Sequence, residues 1–501
     1  MSCEKADCRL KRSPDAMKMR WAAVWRQRGT GRCRPNAFFP EGTVFSNWIV
    51  GGVICKMRCV KKLTGPGAFY HDCHRLWLEA GALKQCSFDV VVAGGGPAGV
   101  CAAVSAARSG ARVLLVEREA GLGGNVRAAH VHSICGLYRI AAGPLPEPLH
   151  GGLAMEFARR LLSSGGACGP KRFGRLDILL HEPEAFAALC DQWVAEEPFV
   201  EVMSGARVVG GEVDARRLQS LQVESAAGRL LVETGAVVEA TGDGNLATSA
   251  RLSCACTGAA ELQRPAYIFG LSPVATEALD PSARLALSAQ LVAAVRDGRL
   301  GREALGVVVR PTCRQDLVRV TLDLEAGGAG YDPLDDRQIG RLTLSALDFA
   351  RILTGFLRGE APGYERAELC SPPARIGVRE SRRVTGRCLM TAEDVLGGAV
   401  PEDTVCFSSW PLEWHEVGAA TRLVYPDNGA PCGVPLRALQ ARDVDNVFLA
   451  GRCLSATHEA QAALRVIATS MATGQAAGLA AASTAMGVRI DTAAIREACV
   501  R

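Results

Sequence analysis

The sequence predicts an α/β protein, a three-layer fold of helices packed on a parallel sheet, with a β-meander and an inserted α+β segment. Three observations predict it. Residues 88–124 read as strand, glycine turn, helix and second strand. Residues 200–242 read as short strands joined by turns rich in Gly, Asp and Ala. Residues 444–478 return to a strand, a glycine turn and a small-residue helix, so the first unit is completed far down the chain.

Each element of the opening unit has a physical reason. The apolar run 90–93 suits a strand covered on both faces. Gly94, Gly96 and Gly99 follow in G-x-G-x-x-G spacing. Pro97 sits where a helix start has no intrahelical N–H bond to lose. Ala98 opens a helix of small residues that Ser109-Gly110 ends. A second strand, 113–116, closes on Glu117, 18 residues past Gly99. Gly94 permits the tight turn, Gly96 lets backbone approach a pyrophosphate, and Gly99 lets helix and strand pack closely. The helix N-terminus offers free N–H groups to phosphates, and Glu117 can accept hydrogen bonds from a ribose. A glycine turn alone is a weak sign; placed between strand and helix with the acid on time, it specifies a Rossmann-like dinucleotide site. Arg118 and the second glycine pair, Gly123-Gly124 with Asn125, extend the same site.

Composition bounds the rest. The chain has 501 residues, 48% hydrophobic and 22% charged, an ordinary globular balance. Its net charge of +5 is uneven. Residues 1–86 carry 16 Lys+Arg against 6 Asp+Glu, and the remainder 41 against 46, so the body is mildly acidic and no nucleic-acid partner is expected. The 20 cysteines include no C-x-x-C pair, which argues against thiolate-bound clusters and common zinc sites, so no metal is expected. Scattered thiols without a clear secretory signal point to the cytoplasm. Two uncharged stretches, 90–107 and 466–488, are not read as membrane spans: the first contains a Gly-Gly-Gly-Pro turn, and the second is mostly Ala, Gly, Ser and Thr.

Residues 1–86 read as a basic, cysteine-containing extension with no sustained period, disordered or weakly folded. Acids among its first 34 residues argue against a transit peptide, and a functional start near Met57 or later is an alternative. Cys55-x-x-x-Cys59 with Cys73-His74 fits no common metal spacing. Helical periods follow at about 150–196, with Pro183 in the first turn of the second helix. Strands are expected at 202–209, 218–223, 230–232 and 236–240, the last running into Thr241-Gly242-Asp243-Gly244. Helices at 285–296 and 342–358 and strands at 307–310 and 317–322 suit an inserted substrate or cap domain. The expected organisation is an extension 1–86, a discontinuous cofactor domain 87–260 and 427–490, an insertion 261–426, and a tail 491–501.

Four blocks carry a family likeness: AGGGPAG…VEREAGLGG (93–124), VVEATGDGNLA (237–247), IGVRESRRVTG (376–386) and VDNVFLAGRCLSATHEAQAALRVIATSMATGQAAG (444–478). As a set they resemble the FAD-dependent oxidoreductases of the glutathione-reductase-like superfamily, in the fumarate-reductase-type branch. The resemblance implies FAD, with the Gly94–Glu117 unit on its ADP half. Thr241, Gly242 and Asp243 would lie against the cofactor. Gly451 and the helix start holding Gly474 and Gln475 would lie by its ribityl and ring end. Many relatives have an acid after the glycine matching Gly451, where this chain has Arg452; either Arg452 serves another role, or Glu459 or backbone amides replace the acid. The chain has no C-x4-C pair suited to disulfide reduction and no second G-x-G-x-x-G unit. A hydride is therefore expected to pass directly between a small polar substrate and flavin N5, with the electron acceptor unspecified. A flavin enzyme without net redox, such as a hydratase or isomerase, and a non-catalytic flavin-binding subunit are the alternatives.

Catalytic candidates follow from residue type. His130, His132, His415 and His458 lie in or near the blocks, and His458, in the last of them, is the first choice to meet the flavin or active-site water. His415 lies in the insertion that such folds lay over the flavin. Arg379 and Arg382 can clamp a carboxylate in bidentate fashion, against the alternative of local salt bridges. Cys135 reads as a buried, inert thiol.

Overall fold

The computed structural model describes residues 43–50, 53–60, 84–325, 330–416 and 418–501. Contacts divide the chain into two units, Met1–Asp72 and Cys73–Arg501. In the first, Thr43–Val50 and Val53–Val60 pair as an antiparallel hairpin, Val50 opposite Val53. A strand pair thus stands where the sequence reading expects no regular element. The Cys73-His74 half of the candidate metal pattern and the N-terminal basic segment lie outside the described residues.

The second unit is organised on a seven-stranded sheet. Its order is Val200–Ser204, Val113–Glu117, Lys84–Ala93, Gly228–Glu239, Arg217–Ser225, Ala206–Asp214. The first four strands run parallel and the last three form the antiparallel meander. Val447–Leu449 pairs in parallel with Val237–Glu239, so the C-terminal block joins the same sheet. Three of the four expected strands are redrawn. Gly205, at φ +67°, divides the first, sending Val200–Ser204 to the parallel edge and Ala206–Asp214 to the meander. The third and fourth are one strand, because Gly235 serves close approach rather than a turn: a Cβ there would meet Ala485 at 3.0–3.1 Å.

The helix Pro97–Arg108 is buried from Ala98 to Ala107 and packs against Ile467–Ala485. This contact accounts for the glycines of the second helix. A Cβ on Gly474 would stand 2.0 Å from the Ala98 carbonyl oxygen, and one on Gly478 2.3 Å from that of Ala102. Ser105 Oγ adds a hydrogen bond to the Gln475 carbonyl at 3.1 Å. Gly474 is thus a helix-packing residue, and it does not line the cavity described below. Gly474→Ala is expected to destabilise the fold by about 1–3 kcal/mol, the usual cost of overpacking, and urea unfolding measures it; an unchanged midpoint would contradict the packing role.

The insertion has its own core. Val307–Pro311, Val318–Asp323, Ala266–Ser272 and Glu368–Cys370 form an antiparallel sheet in that order. Helices Pro281–Arg296 and Asp336–Glu360 contribute Leu291, Ala350, Leu353 and Leu357 to a core with Tyr267 and Phe269. Both helices begin upstream of the apolar period, for local reasons. Pro281 occupies the first turn of one, and Asp335 caps the other, accepting from Arg337 N at 2.9 Å. The last residues are no loose tail: Asp491 caps the helix Thr492–Val500, which buries Ile495 and Cys499.

Candidate active site

A cavity of ≈ 500 Å³ runs from the glycine turn to the insertion sheet. At the first end, Ala93 delivers the chain to Gly94, whose φ of +100° and contact with the Ala240 backbone exclude a side chain. A Cβ on Gly99 would stand 1.8 Å from the Gly94 carbonyl oxygen, so strand, turn and helix close tightly. Gly96 caps the helix with no side-chain hydrogen bond, leaving its N-terminus open. Glu117 is buried and accepts from Gly95 N at 2.5 Å and Glu119 N at 2.8 Å, tying the glycine turn to the end of the second strand. Gly123 N donates to the Gly95 carbonyl at 2.8 Å, bringing in the second glycine pair. Gly94, Gly96, Pro97, Ala98, Glu117, Arg118, Gly124 and Asn125 all line the cavity. An uncapped helix N-terminus, a bare glycine wall and a buried acid are what a diphosphate with an attached ribose requires, so these residues fit the dinucleotide.

The middle of the cavity is held by Arg452. Its Nε donates to the Gly242 carbonyl at 2.9 Å and its Nη2 to Asp243 Oδ1 at 2.5 Å; Nη1 reaches the Val378 carbonyl. Ser381 Oγ donates to the same Asp243 oxygen at 2.7 Å. Arg452 therefore pins the Thr241-Gly242-Asp243 turn and the insertion backbone at Val378 to Gly451, which answers why an arginine follows that glycine. Beneath the turn, Glu239 is fully buried and accepts from Thr241 N, Thr241 Oγ1 and Ala247 N. Burial raises its pKa. Thr241, Gly242, Gly451 and Arg452 face the cavity, while Asp243 is absorbed by Arg452 and Ser381.

The far end is a buried array of acids and bases. His415 Nδ1 lies 2.8 Å from Asp323 Oδ2, and its Nε2 lies 3.2 Å from Glu413 Oε1. Arg379 donates to Asp323 Oδ1 at 2.7 Å and to the Arg264 carbonyl. Trp410 Nε1 donates to the second Glu413 oxygen at 3.0 Å. Burial alone would raise the Asp323 pKa, but the Arg379 charge and the His415 hydrogen bond outweigh it and hold the carboxyl well below its ordinary range. Burial likewise opposes ionisation of Glu413, and His415 and Arg465 overcome it.

For both acids the folded-state pKa is below the unfolded one. Their stabilisation is therefore complete above the ordinary carboxylate range, about pH 4, and is lost as pH falls through the folded values below it. Between pH 7 and pH 3 the parent protein is expected to lose more of its urea resistance than Asp323→Asn does. Equal losses would contradict the array's charge state.

The remaining predicted residues lie elsewhere. His458 Nδ1 stands 2.8 Å from both oxygens of Glu380, which is fully buried and also paired with Arg383, and His458 is not on the cavity wall. Arg382 donates to the Asp243 carbonyl and to Asn245 Oδ1 at 2.5 Å and is not itself on the cavity wall. Gln475 clamps the C-terminal helix: Oε1 accepts from Leu153 N at 2.8 Å, and Nε2 donates to the Ala498 carbonyl at 2.9 Å. Cys135 does line the cavity, but burial, then the Glu413 charge, push its thiol up to about 12. Sequence reasoning missed Asp323, Glu413, Arg310 and Arg465 as wall residues. Only Glu413 carried a signal, its place two residues before His415.

One end of the cavity thus suits a diphosphate and a ribose, and the other can hold and move protons out of water. That combination belongs to dinucleotide-dependent oxidoreductases. The FAD dependent oxidoreductase family model matches residues 89–498, and the chain belongs to that family. It is an FAD-dependent oxidoreductase, with FAD as its cofactor. No curated protein sequence matches the chain. Similar solved structures include a geranylgeranyl bacteriochlorophyll reductase-like protein of Thermoplasma acidophilum, at 13% identity over 80% of each chain and a TM-score of 0.42. Another is the p-nitrophenol 4-monooxygenase PnpA of Pseudomonas putida, at 13% identity over 83% of this chain and 84% of that one, with a TM-score of 0.40. The flavin-dependent brominase Bmp2 is similar at 12% identity over 82% of each chain, with a TM-score of 0.44. Among the described residues no helix is long and apolar enough to cross a membrane.

Proposed function

We propose that this protein exchanges a hydride directly between a small polar substrate and FAD, as the fumarate-reductase-type likeness of its motifs suggests. The observation that carries the reading is one cavity lined both by the Gly94–Glu117 turn and by the Asp323–His415–Glu413 array. Bound FAD supplies the two-electron acceptor or donor. The chain's own residues handle the proton. Asp323 anchors Nδ1 of His415 at 2.8 Å, fixing the ring, and the longer 3.2 Å contact leaves Nε2 as the nitrogen that shares its proton with Glu413 and the cavity. Burial excludes bulk water and strengthens each of these contacts. The scattered cysteines of the sequence suit a cytoplasmic setting.

The test is an anaerobic screen of the FAD-loaded protein against hydroxy acids, sugars, amines and unsaturated acids. The reading predicts that one class bleaches the oxidised flavin band, or that the reduced protein passes its electrons to one. Substrate turnover at constant flavin oxidation state, without any acceptor, would replace it with a hydratase or isomerase reading.

A further inference from the structure

Arg379 and Arg382, the arginines that sequence type marks as a carboxylate clamp, are both spent on internal partners. Arg310 is not. It lies on Val307–Pro311, lines the cavity, and stands directly opposite Arg319 on the neighbouring strand. Like charges facing across a strand pair repel. Arg319 is compensated by Glu182 at 3.2 Å and Glu184 at 3.5 Å. Among the described residues, no carboxylate lies within 4.0 Å of Arg310, whose guanidinium meets only the Phe173 ring, 5.3 Å from its centroid.

His132 adds a second, independent sign. It lines the same cavity at 5% exposure, and neither ring nitrogen has a hydrogen-bond partner within the protein. Burial, then the charges of Arg310, His181 and Arg319, hold its pKa down to about 3; the His130 carbonyl pulls the other way without reaching bonding geometry. The ring is therefore neutral and has an N–H to donate. A buried polar group left unpaired is costly, so this corner is complete only with an acceptor in it.

We propose that Arg310 and His132 bind a carboxylate of the small polar substrate, beside an apolar part of its body. The proposal rests on the oxidoreductase reading above and names the substrate class of its site. One guanidinium with one neutral imidazole supplies a single positive charge and several N–H donors, which matches a monoanion. A phosphate dianion would leave charge uncompensated in a buried corner. Phe173, packed against Arg310, and the neighbouring Val308 line the cavity there and offer no side-chain hydrogen bonds to the part of the substrate beside that carboxylate.

The test uses the full-length, FAD-loaded protein. Benzoate, its neutral isostere benzamide and inorganic phosphate are titrated by calorimetry, with the flavin difference spectrum recorded in parallel. Benzoate is expected to bind with a Kd of about 1 mM or tighter, and benzamide and phosphate at least ten-fold more weakly. Arg310→Met is expected to weaken benzoate at least ten-fold while benzamide binding and FAD content stay unchanged; Arg310→Lys, which keeps the charge, should fall between. Equal binding of benzoate and benzamide, tighter binding of phosphate, or unaltered benzoate binding in Arg310→Met would overturn the proposal. Loss of FAD from Arg310→Met would do so as well, by assigning the corner to the cofactor. These are binding measurements, so the absence of flavin reduction by any donor would sink the hydride-transfer reading and leave this result standing.

Discussion

Glu117→Ala is expected to strip the protein of FAD while leaving most of its fold in place. The carboxylate does two things at once. It holds the glycine turn through Gly95 N and Glu119 N, and it lines the cavity at the end that we propose takes the ribose. Hydrogen bonds to a charged group are worth about 1.5–3 kcal/mol each, and 1.4 kcal/mol is a factor of ten. Loss of the ribose contacts with loosening of the turn should therefore weaken FAD by about 100-fold or more. The strands on either side keep their sheet partners, so the apoprotein should still fold and unfold cooperatively, at a midpoint lowered by the two lost turn bonds. Glu117→Gln retains a carbonyl acceptor and should lose less affinity. Titration of apoprotein with FAD, followed by flavin fluorescence, measures both variants. A Kd for Glu117→Ala within two-fold of the parent would remove Glu117 from the cofactor site.

His415→Gln is expected to lower the rate of the redox half-reaction by about 10²–10⁴-fold, the usual contribution of a positioned acid or base. Glutamine can still hydrogen-bond Asp323 or Glu413, which protects the array's packing, but it cannot carry a proton. FAD binding should be untouched, since the array lies at the other end of the cavity. The signature to seek is a fall in kcat with little change in KM, because the loss concerns the transition state. A structural role alone would instead lower the thermal midpoint and leave the rate of the folded enzyme near normal.

The two ends of the cavity were not equally legible in the sequence. At the cofactor end, backbone geometry dictates residue type within a short stretch. A φ of +100° at Gly94 and a 1.8 Å approach at Gly99 admit only glycine, so the constraint is written locally and can be read. At the far end, the wall is assembled from His132, Arg310, Asp323, the Glu413/His415 pair and Arg465, which come from five separate segments with no shared period. Arginine composition also misled. Nothing in IGVRESRRVTG announces that Arg379 belongs to Asp323 and Arg382 to Asn245. The histidine of the last block was unreadable for the same reason, since its partner Glu380 lies 78 residues upstream. Gly474 and Gln475 show a different failure. Small residues four apart signal close approach, but not what approaches, and here it is another helix. The N-terminal hairpin, by contrast, had a local sign, two β-branched runs on either side of Gly51-Gly52, that an irregular Cys and Trp content obscured.

The central claim is that electrons enter and leave through FAD while His415 manages the proton. The most direct measurement is anaerobic stopped-flow mixing of the FAD-loaded protein, parent and His415→Gln, with the donor found in the reduction screen. The account predicts bleaching of one flavin per donor molecule in the parent, and the same end point reached about 100-fold more slowly, or slower still, in the variant. Product formation with the flavin band unchanged, or equal rates in the two proteins, would contradict it.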